Sequence, residues 1–421
     1  MKPYDVVVLG AGPAGLAAGL EAHKSGARTL IVEREDKIGG ILKQCIHDGF
    51  GLKRFEEKLS GPEYAGRYIK MVKDEKISMF ISTFVTGIKK NKDGFKLRLV
   101  NSEKGVFDVQ AKSLILANGC RERTSKQIFI HGSRPSGVYS AGTAQYFVNI
   151  LGYLPCEKCV ILGSGDIGLI MARRLTLEGA EIEGVYEAKS TPSGLSRNIA
   201  QCLDDYDIPL HLSHTVTKII GDNRVEAVEI SKVDEKMKPI KGTEKIVECD
   251  GVILSVGLIP ENEIAESLDI ELDMATKGPL VDQNFMTLEE GVFSCGNALH
   301  VNDLVDYVSE SGEYAGSKAS IYVKEQKKRK ERKLIPVNKE RENFLYAVPQ
   351  YIDVNSNNKK IVIYLRSREV KNNVRIQIKG NGELLFDKKY RFLKPPEMER
   401  IEIDLSNTNI NELEGIEITM K

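Results

Sequence analysis

Two glycine-rich turns in this sequence combine residue types and spacings that suit dinucleotide binding. In the first, Gly10, Gly12 and Gly15 follow the apolar run 4–9 and precede a helical pattern. The first glycine permits a tight turn, the second lets the backbone approach a pyrophosphate, and the third lets the helix pack on the strand. Glu33 lies 18 residues after the last glycine, where a carboxylate can accept hydrogen bonds from a ribose diol. The stretch therefore predicts a dinucleotide site rather than a purely structural turn.

The second turn, from Gly163 to Gly168, has the same glycine spacing and also follows an apolar run. Glu187 lies 19 residues after Gly168, which is almost the spacing of the first unit. A buried strand that ends on a glycine follows each unit, at 114–119 and at 252–257. The chain therefore repeats one architecture, and we expect two nucleotide sites.

Length, charge and cysteine content exclude several classes of protein. A chain of 421 residues exceeds one ordinary domain. Lys+Arg and Asp+Glu both number 60, so no net charge favours nucleic acid or an anionic membrane. We expect no transmembrane segment, because no apolar run approaches the ~20 residues that a spanning helix needs, and no secretory signal, because the chain opens on a strand pattern. The seven scattered cysteines argue against a disulfide framework and for a cytoplasmic protein.

The last part of the chain has a different pattern. Short strand-like runs at 361–365, 374–378, 383–386 and 401–405 are separated by Asn and Gly turns, which predicts a small all-β domain without a catalytic constellation. The dense charges of 324–333 predict a solvated helix end and linker, and an anionic docking patch is the alternative.

These patterns together predict an α/β fold of two nested Rossmann-like domains followed by a C-terminal β-sandwich-like domain. The expected boundaries are 1–120 with 286–325 for the first nucleotide domain, 121–285 for the second, 324–333 for the linker and 334–421 for the sandwich.

Four motifs, in this order, carry a resemblance to a known family: 10–15, 116–119, 163–168 and 291–297. As an ordered set they resemble the two-dinucleotide-domain flavoproteins related to thioredoxin reductase and glutathione reductase, the pyridine nucleotide-disulfide oxidoreductases. The resemblance covers roughly residues 1–325.

Two further stretches, 119–124 and 167–198, are similar to a narrower group within that family. It contains subunits of opine oxidase and hydrogen cyanide synthase, and the oxidoreductase associated with anaerobic glycerol-3-phosphate dehydrogenase. The similarity implies two partners, a second flavoprotein dehydrogenase subunit and a small iron–sulfur or cysteine-rich protein, and it leaves room for a homo-oligomer.

The family resemblance implies FAD on the first nucleotide domain and NAD(H) on the second, with no metal site. The residues expected to contact FAD are Gly10, Gly12, Pro13, Ala14, Gly15, Glu33, Arg34, Gly40, Val85, Ala117, Gly119, Gly296 and Asn297. Those expected to contact NAD(H) are Gly163, Gly165, Asp166, Ile167, Gly168, Glu187 and Gly257.

Three of these residues have a more specific implied role. Val85 corresponds to the position that meets the adenine through its backbone, and Asn297 to a position beside the flavin ribityl chain. The family usually has Asp where this chain has Asn297, so hydrogen bonding is kept and a negative charge is lost. Glu187 stands where a 2′-phosphate would lie, which favours NAD(H) over NADP(H).

The cysteines do not reproduce either disulfide of the family. Cys45 is the one cysteine shortly after the Gly39-Gly40 pair, and the region 142–144, where thioredoxin reductases carry their pair, has none. Cys45 could still cycle through a sulfenic acid or mixed disulfide, with His47 supplying a proton. The alternatives that we favour are a packed small residue at Cys45 and a loop histidine without a redox role. Cys156 and Cys159 abut a strand and are expected to be inert.

The predicted activity is hydride exchange between NAD(H) and FAD, by the NAD-linked component of a multi-subunit dehydrogenase of the glycerol-3-phosphate or amino-acid type. One alternative is a stand-alone NADH oxidase, peroxidase or diaphorase that uses Cys45. The other is a scaffold that binds FAD and NAD without turnover.

Overall fold

The computed structural model of the chain describes residues 2–325 and 330–421, which fall into two units. The first unit consists of Met1–Cys120 and Pro260–Lys421, and the second of Arg121–Ile259. The predicted α/β fold, with Rossmann-type sheets and a β-rich C-terminal region, is confirmed. Within the described residues, no helix has both the length and the apolar character to cross a membrane.

A seven-stranded sheet forms the centre of the first unit. Its buried strand Tyr4–Leu9 pairs in parallel with Thr29–Val32 on one side and with Gly105–Leu116 on the other. Aliphatic side chains cover both faces of this strand, as expected for a parallel strand between layers. The other strands of the sheet are Ser78–Phe80, Phe84–Asn91, Gly94–Asn101 and Val292–Ser294.

The helices of this unit lie beside that sheet and are Pro13–Lys24, Gly61–Asp74, Glu263–Glu266 and Val305–Glu325. Shorter elements are Gly40–Gln44, Asp48–Phe50, Leu59–Ser60, Gly296–Ala298 and Ile410–Glu412, and two short strands, Cys120–Glu122 and Leu258–Pro260, each contain residues of both units. The first and last helices pack closely, because a Cβ at Gly312 would lie 2.2 Å from the Ala14 carbonyl oxygen and one at Gly316 would lie 2.3 Å from that of Ala18. Glycine at these two positions therefore allows the last helix to pack directly against the backbone of the helix that follows the first turn.

The second unit has a parallel sheet and a smaller mixed sheet. The parallel sheet has the order Val138–Ser140, Gly251–Leu254, Lys158–Leu162, Glu181–Glu187 and Leu210–Leu212. The smaller sheet contains His131–Gly132, His214–Ile220, Ala227–Lys232 and Lys245–Glu248. The helical segments are Ser125–Ile128, Ala141–Tyr146 with Phe147–Leu151, Asp166–Leu177, Ser196–Cys202 and Asp204–Tyr206.

The predicted boundary of the second nucleotide domain at residue 285 is wrong, because 260–285 belongs to the first unit. Ala265 and Ile270 are buried against the seven-stranded sheet, in the same apolar cluster as Val7 and Leu30. The sequence pattern shows apolar residues here but not which sheet they cover.

The C-terminal region is a sandwich of two sheets around its own apolar core. One sheet contains Tyr351–Asp353, Leu334–Lys339, Ile416–Met420, Lys371–Gly380 and Glu383–Leu393, and the other contains Phe344–Val348, Lys360–Ser367 and Met398–Asp404. Tyr346, Tyr364 and Met398 also join the core of the nucleotide domain. The sandwich is therefore packed into the first unit and is not a separate body.

The predicted solvated linker at 324–333 is only partly correct. Residues 326–329 lie outside the described residues, and Glu325 still belongs to the last helix. Arg332, in contrast, is buried: its guanidinium lies 2.9 Å from the Asp282 carboxylate, and the two side chains are 7% and 0% exposed. One arginine of the charged segment 324–333 is therefore buried in an ion pair with Asp282 and is not solvated.

Replacing Arg332 with Ala should lower the free energy of unfolding by about 3–5 kcal/mol, because it leaves the Asp282 carboxylate buried without its cation. The matched control is Arg375→Ala, which breaks an ion pair with Asp387 on the sandwich where the arginine is 48% exposed. This control should cost about 1 kcal/mol or less. Urea unfolding followed by circular dichroism measures both, and equal small losses would contradict the importance of the buried pair.

Candidate nucleotide sites

The first glycine turn is packed on two sides by backbone. Gly10 has φ +106°, and a Cβ there would lie 2.4 Å from the Ala117 carbonyl oxygen. A Cβ at Gly15 would lie 1.9 Å from the Gly10 carbonyl oxygen, so only glycine lets the helix approach the strand. A Cβ at Gly12, in contrast, would meet only the Gly40 Cα, at 3.8 Å. The backbone of the turn therefore packs against other backbone at its first and third glycines, and there is space for a ligand at the second.

The helix Pro13–Lys24 begins at this opening. Gly12 is its N-cap, Pro13 occupies its first turn, and no side chain caps its end. The amides at the start of the helix therefore remain available, and the positive end of the helix dipole favours a phosphate. Ala14 lies beside Gly296, whose Cβ would be 2.6 Å from the Ala14 Cβ.

Glu33 lies at the carboxyl end of the second strand and is buried. One carboxylate oxygen accepts the Ala11 amide hydrogen bond at 2.7 Å, and the other accepts that of Glu35 at 2.9 Å. The carboxylate therefore holds the residue between the first two glycines, while its remaining lone pairs can accept bonds from a ribose.

Two other residues expected to contact FAD lie farther along this edge. Arg34 is paired with Glu261 at 3.1 Å. Val85 is half-buried in its strand, opposite Leu99. The Thr83 amide donates to the Glu33 carbonyl at 2.9 Å, which places the start of the Val85 strand close to the acidic residue. Their contacts with the cofactor remain predictions.

A polar cluster lies at the ends of the neighbouring strands. Gly296 has φ +61°, and the Asn297 Nδ2 lies 3.5 Å from the Cys120 Sγ. The Asn297 Oδ1 accepts the Asn302 backbone amide at 3.0 Å. Within the described residues, the buried Oδ1 atoms of Asn118 and Asn302 have no hydrogen-bond partner. Neither residue was expected from the sequence. Asn302 lies outside the four motifs, and Asn118 lies within the motif 116–119 but was not expected to contact FAD.

These residues fit FAD in chemical terms. The open glycine and uncapped helix suit a pyrophosphate, the buried Glu33 suits a ribose, and the unpartnered amide oxygens suit the hydroxyls of a ribityl chain. A buried acceptor without a partner costs stability, so a ligand hydroxyl at that point would relieve a penalty.

Cys45 and His47 lie in the segment after the double glycine. Cys45 is buried, its thiol lies 3.4 Å from the Ile41 carbonyl oxygen, and burial raises the pKa of Cys45 to about 12. A redox-active cysteine needs the opposite shift, toward the thiolate. The His47 ring lies 5.0 Å from that of Phe50. The geometry supports the packed-residue alternative for Cys45.

The second glycine turn repeats the geometry of the first. Gly163 has φ +100°, and a Cβ there would lie 2.0 Å from the Ser255 carbonyl oxygen. A Cβ at Gly168 would lie 2.4 Å from the Gly163 carbonyl oxygen. Gly165 is open, because a Cβ there would meet only the Ser255 Oγ, at 3.8 Å. It is the N-cap of the helix Asp166–Leu177, which no side chain caps.

Glu187 plays the part of Glu33 in this unit. It is buried, and one oxygen accepts the Ser164 amide at 3.1 Å and hydroxyl at 2.6 Å. Its other oxygen accepts the Lys189 amide at 3.0 Å. Ser164, between the glycines, is another residue of the site that the glycine spacing did not single out.

The remaining residues expected at the second site make contacts within the protein near the second turn. The Asp166 carboxylate accepts the Leu195 amide at 2.9 Å and the Asn198 amide group at 2.6 Å. Ile167 packs against the core of this unit. Gly257 has φ +101°, and its carbonyl accepts the Arg123 amide at 3.0 Å. These contacts shape the loops around the second turn.

Comparisons with known proteins place this geometry in context. A family model described as "Pyridine nucleotide-disulphide oxidoreductase" matches residues 4–317. Hydrogen cyanide synthase subunit HcnB of Pseudomonas protegens is 24% identical over 295 residues, which cover 65% of this chain and 61% of the relative. An opine oxidase subunit of Agrobacterium tumefaciens is 22% identical over 312 residues, which cover 70% and 61%. The chain thus matches less than two thirds of the length of these relatives.

Among solved structures, thioredoxin reductase of Lactococcus lactis matches with a TM-score of 0.62 at 22% identity, over 76% of this chain and 99% of that one. This similarity shows a shared fold. The family predicted from the four motifs and its cofactor class, FAD with a pyridine nucleotide, are confirmed. The assignments of individual residues to these cofactors stay predictions.

Gly15→Ala should abolish retention of FAD, because the new methyl group would overlap the Gly10 carbonyl oxygen at 1.9 Å and push the helix off the turn. The matched control is Gly66→Ala, since an added Cβ at this exposed helical glycine meets no atom within 4 Å. The control should keep FAD and gain about 0.5–1 kcal/mol of stability. Flavin content per protein and thermal unfolding measure both; full flavin content in the Gly15 variant would contradict the assignment of this turn.

Proposed function

We propose, from the premise that the chain belongs to the pyridine nucleotide-disulphide oxidoreductase family, that it exchanges a hydride between NAD(H) and FAD. The broad class, an FAD-dependent NAD(P)H oxidoreductase, is that of the family. The observation that carries the proposal is the repeated turn, in which Glu33 and Glu187 hold equivalent residues beside equivalent open glycines.

In this proposal the chain binds and orients, and FAD when bound supplies the hydride chemistry. Gly12 and the start of its helix hold the FAD pyrophosphate, and Glu33 accepts from the ribose. Gly165 and Glu187 do the same for NAD(H). No side-chain acid or base is needed for the hydride step, which agrees with the burial of Cys45 and the raised pKa of its thiol.

The preference for NAD(H) rests on the position of Glu187. Its carboxylate is fixed by the Ser164 and Lys189 amides, so it cannot swing away from an incoming group. A 2′-phosphate placed there would meet a fixed negative charge, and like-charge contacts cost several kcal/mol. A ribose diol would instead donate hydrogen bonds to the same oxygens.

An anaerobic titration tests both parts of the proposal. NADH should bleach the flavin absorbance. In turnover with an artificial acceptor, kcat/KM for NADH should exceed kcat/KM for NADPH by on the order of a hundredfold. In Glu187→Gln, which keeps the shape and removes the charge, the ratio should fall. Failure of NADH to bleach bound flavin would leave only the scaffold alternative, and equal constants for the two nucleotides would refute the preference.

We further propose that the electrons pass to or from a separate flavoprotein dehydrogenase. HcnB and the opine oxidase relative are both named as subunits, which supports a partner. The chain lacks a cysteine pair at both family positions. Ile41, Ile46 and Leu52 are 58%, 45% and 53% exposed in the segment after the double glycine, and exposed apolar side chains concentrated in one segment favour a protein contact.

A tagged chain expressed in its source organism should therefore co-purify with a second flavin-containing protein. Leu52→Asp should lose that partner and keep NADH-dependent bleaching, because a charge is costly in an apolar contact. The matched control is Phe129→Asp, at a residue of the second unit that is 81% exposed. Size-exclusion elution with mass spectrometry reads the result, and a wild-type chain that elutes alone would remove the support for this partner.

A further inference from the structure

The loop after Gly296 has two sides with different contacts. On one side, Asn297 and Asn302 bond to each other beside the first glycine turn. On the other side, His300 and Asp303 contact the C-terminal sandwich. Because these residues are close in sequence, whatever fixes His300 and Asp303 also fixes Asn302.

The contacts with the sandwich are extensive. The Asp303 carboxylate accepts the Met398 amide at 2.6 Å and pairs with the Arg366 guanidinium. The buried His300 ring lies 5.0 Å from that of Tyr364 and 5.7 Å from that of Tyr346. Arg366 also donates to the Tyr346 hydroxyl at 3.1 Å, which ties both contacts into one network.

On the nucleotide side, the bonds set the orientation of one amide. The Asn302 backbone N–H can only donate, so the atom of Asn297 that faces it must be Oδ1. The Asn302 Nδ2 donates to the same oxygen at 3.3 Å. The Asn297 Nδ2 must then point the other way, where it lies 3.5 Å from the Cys120 Sγ. The Asn302 Oδ1 is buried with no hydrogen-bond partner among the described residues.

We propose that the C-terminal sandwich positions the flavin: it holds 300–303 so that Asn302 turns the Asn297 amide with its NH₂ toward the cofactor, while the Asn302 Oδ1 offers an acceptor. This inference rests on the proposed binding of FAD at the first turn. The amide pair then presents one donor and one acceptor where a single carboxylate would present acceptors alone. Asn302, Asp303 and Arg366 are positioning residues in this arrangement.

The physical advantage is pre-organisation. Beyond the short turn Gly296–Ala298, no helix or strand is assigned within 299–304, so the contacts of His300 and Asp303 with the sandwich add order to that given by the bonds within the loop. Fixing a residue in one conformation costs conformational entropy. When the sandwich has already ordered the loop, FAD binding does not have to supply that free energy, and the affinity is higher.

A double-mutant cycle on reconstitution with FAD tests the inference. Asn302→Ala and Asp303→Ala should each weaken the FAD Kd about tenfold, as expected for one lost buried hydrogen bond or ordering contact. The double variant should be no weaker than about tenfold, because both changes act through one loop. The matched control is Asp387→Ala, which breaks an exposed ion pair on the same sandwich and should leave the Kd unchanged.

Two further readouts separate positioning from general stability. The fine structure of the bound-flavin spectrum should change in the Asn302 and Asp303 variants and not in the control, whereas a merely structural role would lower the unfolding temperature and leave Kd and spectrum as they were. If Asp303→Ala does not fold, Asp303→Asn keeps an acceptor for the Met398 amide, loses the charge facing Arg366, and should weaken the Kd about threefold.

Two outcomes distinguish this inference from the proposed function. Wild-type protein that binds no FAD would overturn the proposed function. If the wild-type protein binds FAD but the single variants leave the Kd unchanged, or their effects on the Kd multiply in the double variant, this inference alone is overturned.

Discussion

A buried carboxylate that accepts a turn amide is the interaction on which both nucleotide turns depend. Ala11 is fully buried, and its amide would have no solvent to bond without Glu33. Ser164 stands in the same relation to Glu187. An unpaired buried amide costs free energy comparable to a lost hydrogen bond, so the carboxylate is part of the turn as well as a ribose acceptor.

This arrangement explains why the two turns could be located from the sequence. The strand, the glycine spacing and the acid on the next strand all act within about thirty residues, and each leaves a pattern in residue type. The hairpin between Asn91 and Gly94 is local in the same way, because the turn residues between its strands set the pairing. The positive φ angles at Gly10 and Gly163 confirm the reason given for those glycines.

The features that the sequence did not reveal depend on contacts between distant segments. Arg332 has the same charge as Lys330 and Lys333 in the charged run, and only its pairing with the buried Asp282, 50 residues earlier, distinguishes it. Residues 260–285 follow the second nucleotide domain in sequence but cover the sheet of the first unit with Ala265 and Ile270. Likewise, nothing in the pattern around Asn302 indicates that its backbone amide faces Asn297.

The burial of the cysteines is another feature that the sequence pattern does not show, and it bears on the proposed path of the electrons. A CxxC motif is present at Cys156 and Cys159, but the side chains are 2% and 0% exposed, and a hydrogen bond with Cys156 together with burial raises the pKa of Cys159. Burial likewise raises the pKa of Cys45 to about 12. Thiol–disulfide exchange needs an accessible thiolate, and all three side chains are buried. In the proposed hydride exchange, the burial of these three thiols is the physical reason to propose a partner and not an internal disulfide at these positions.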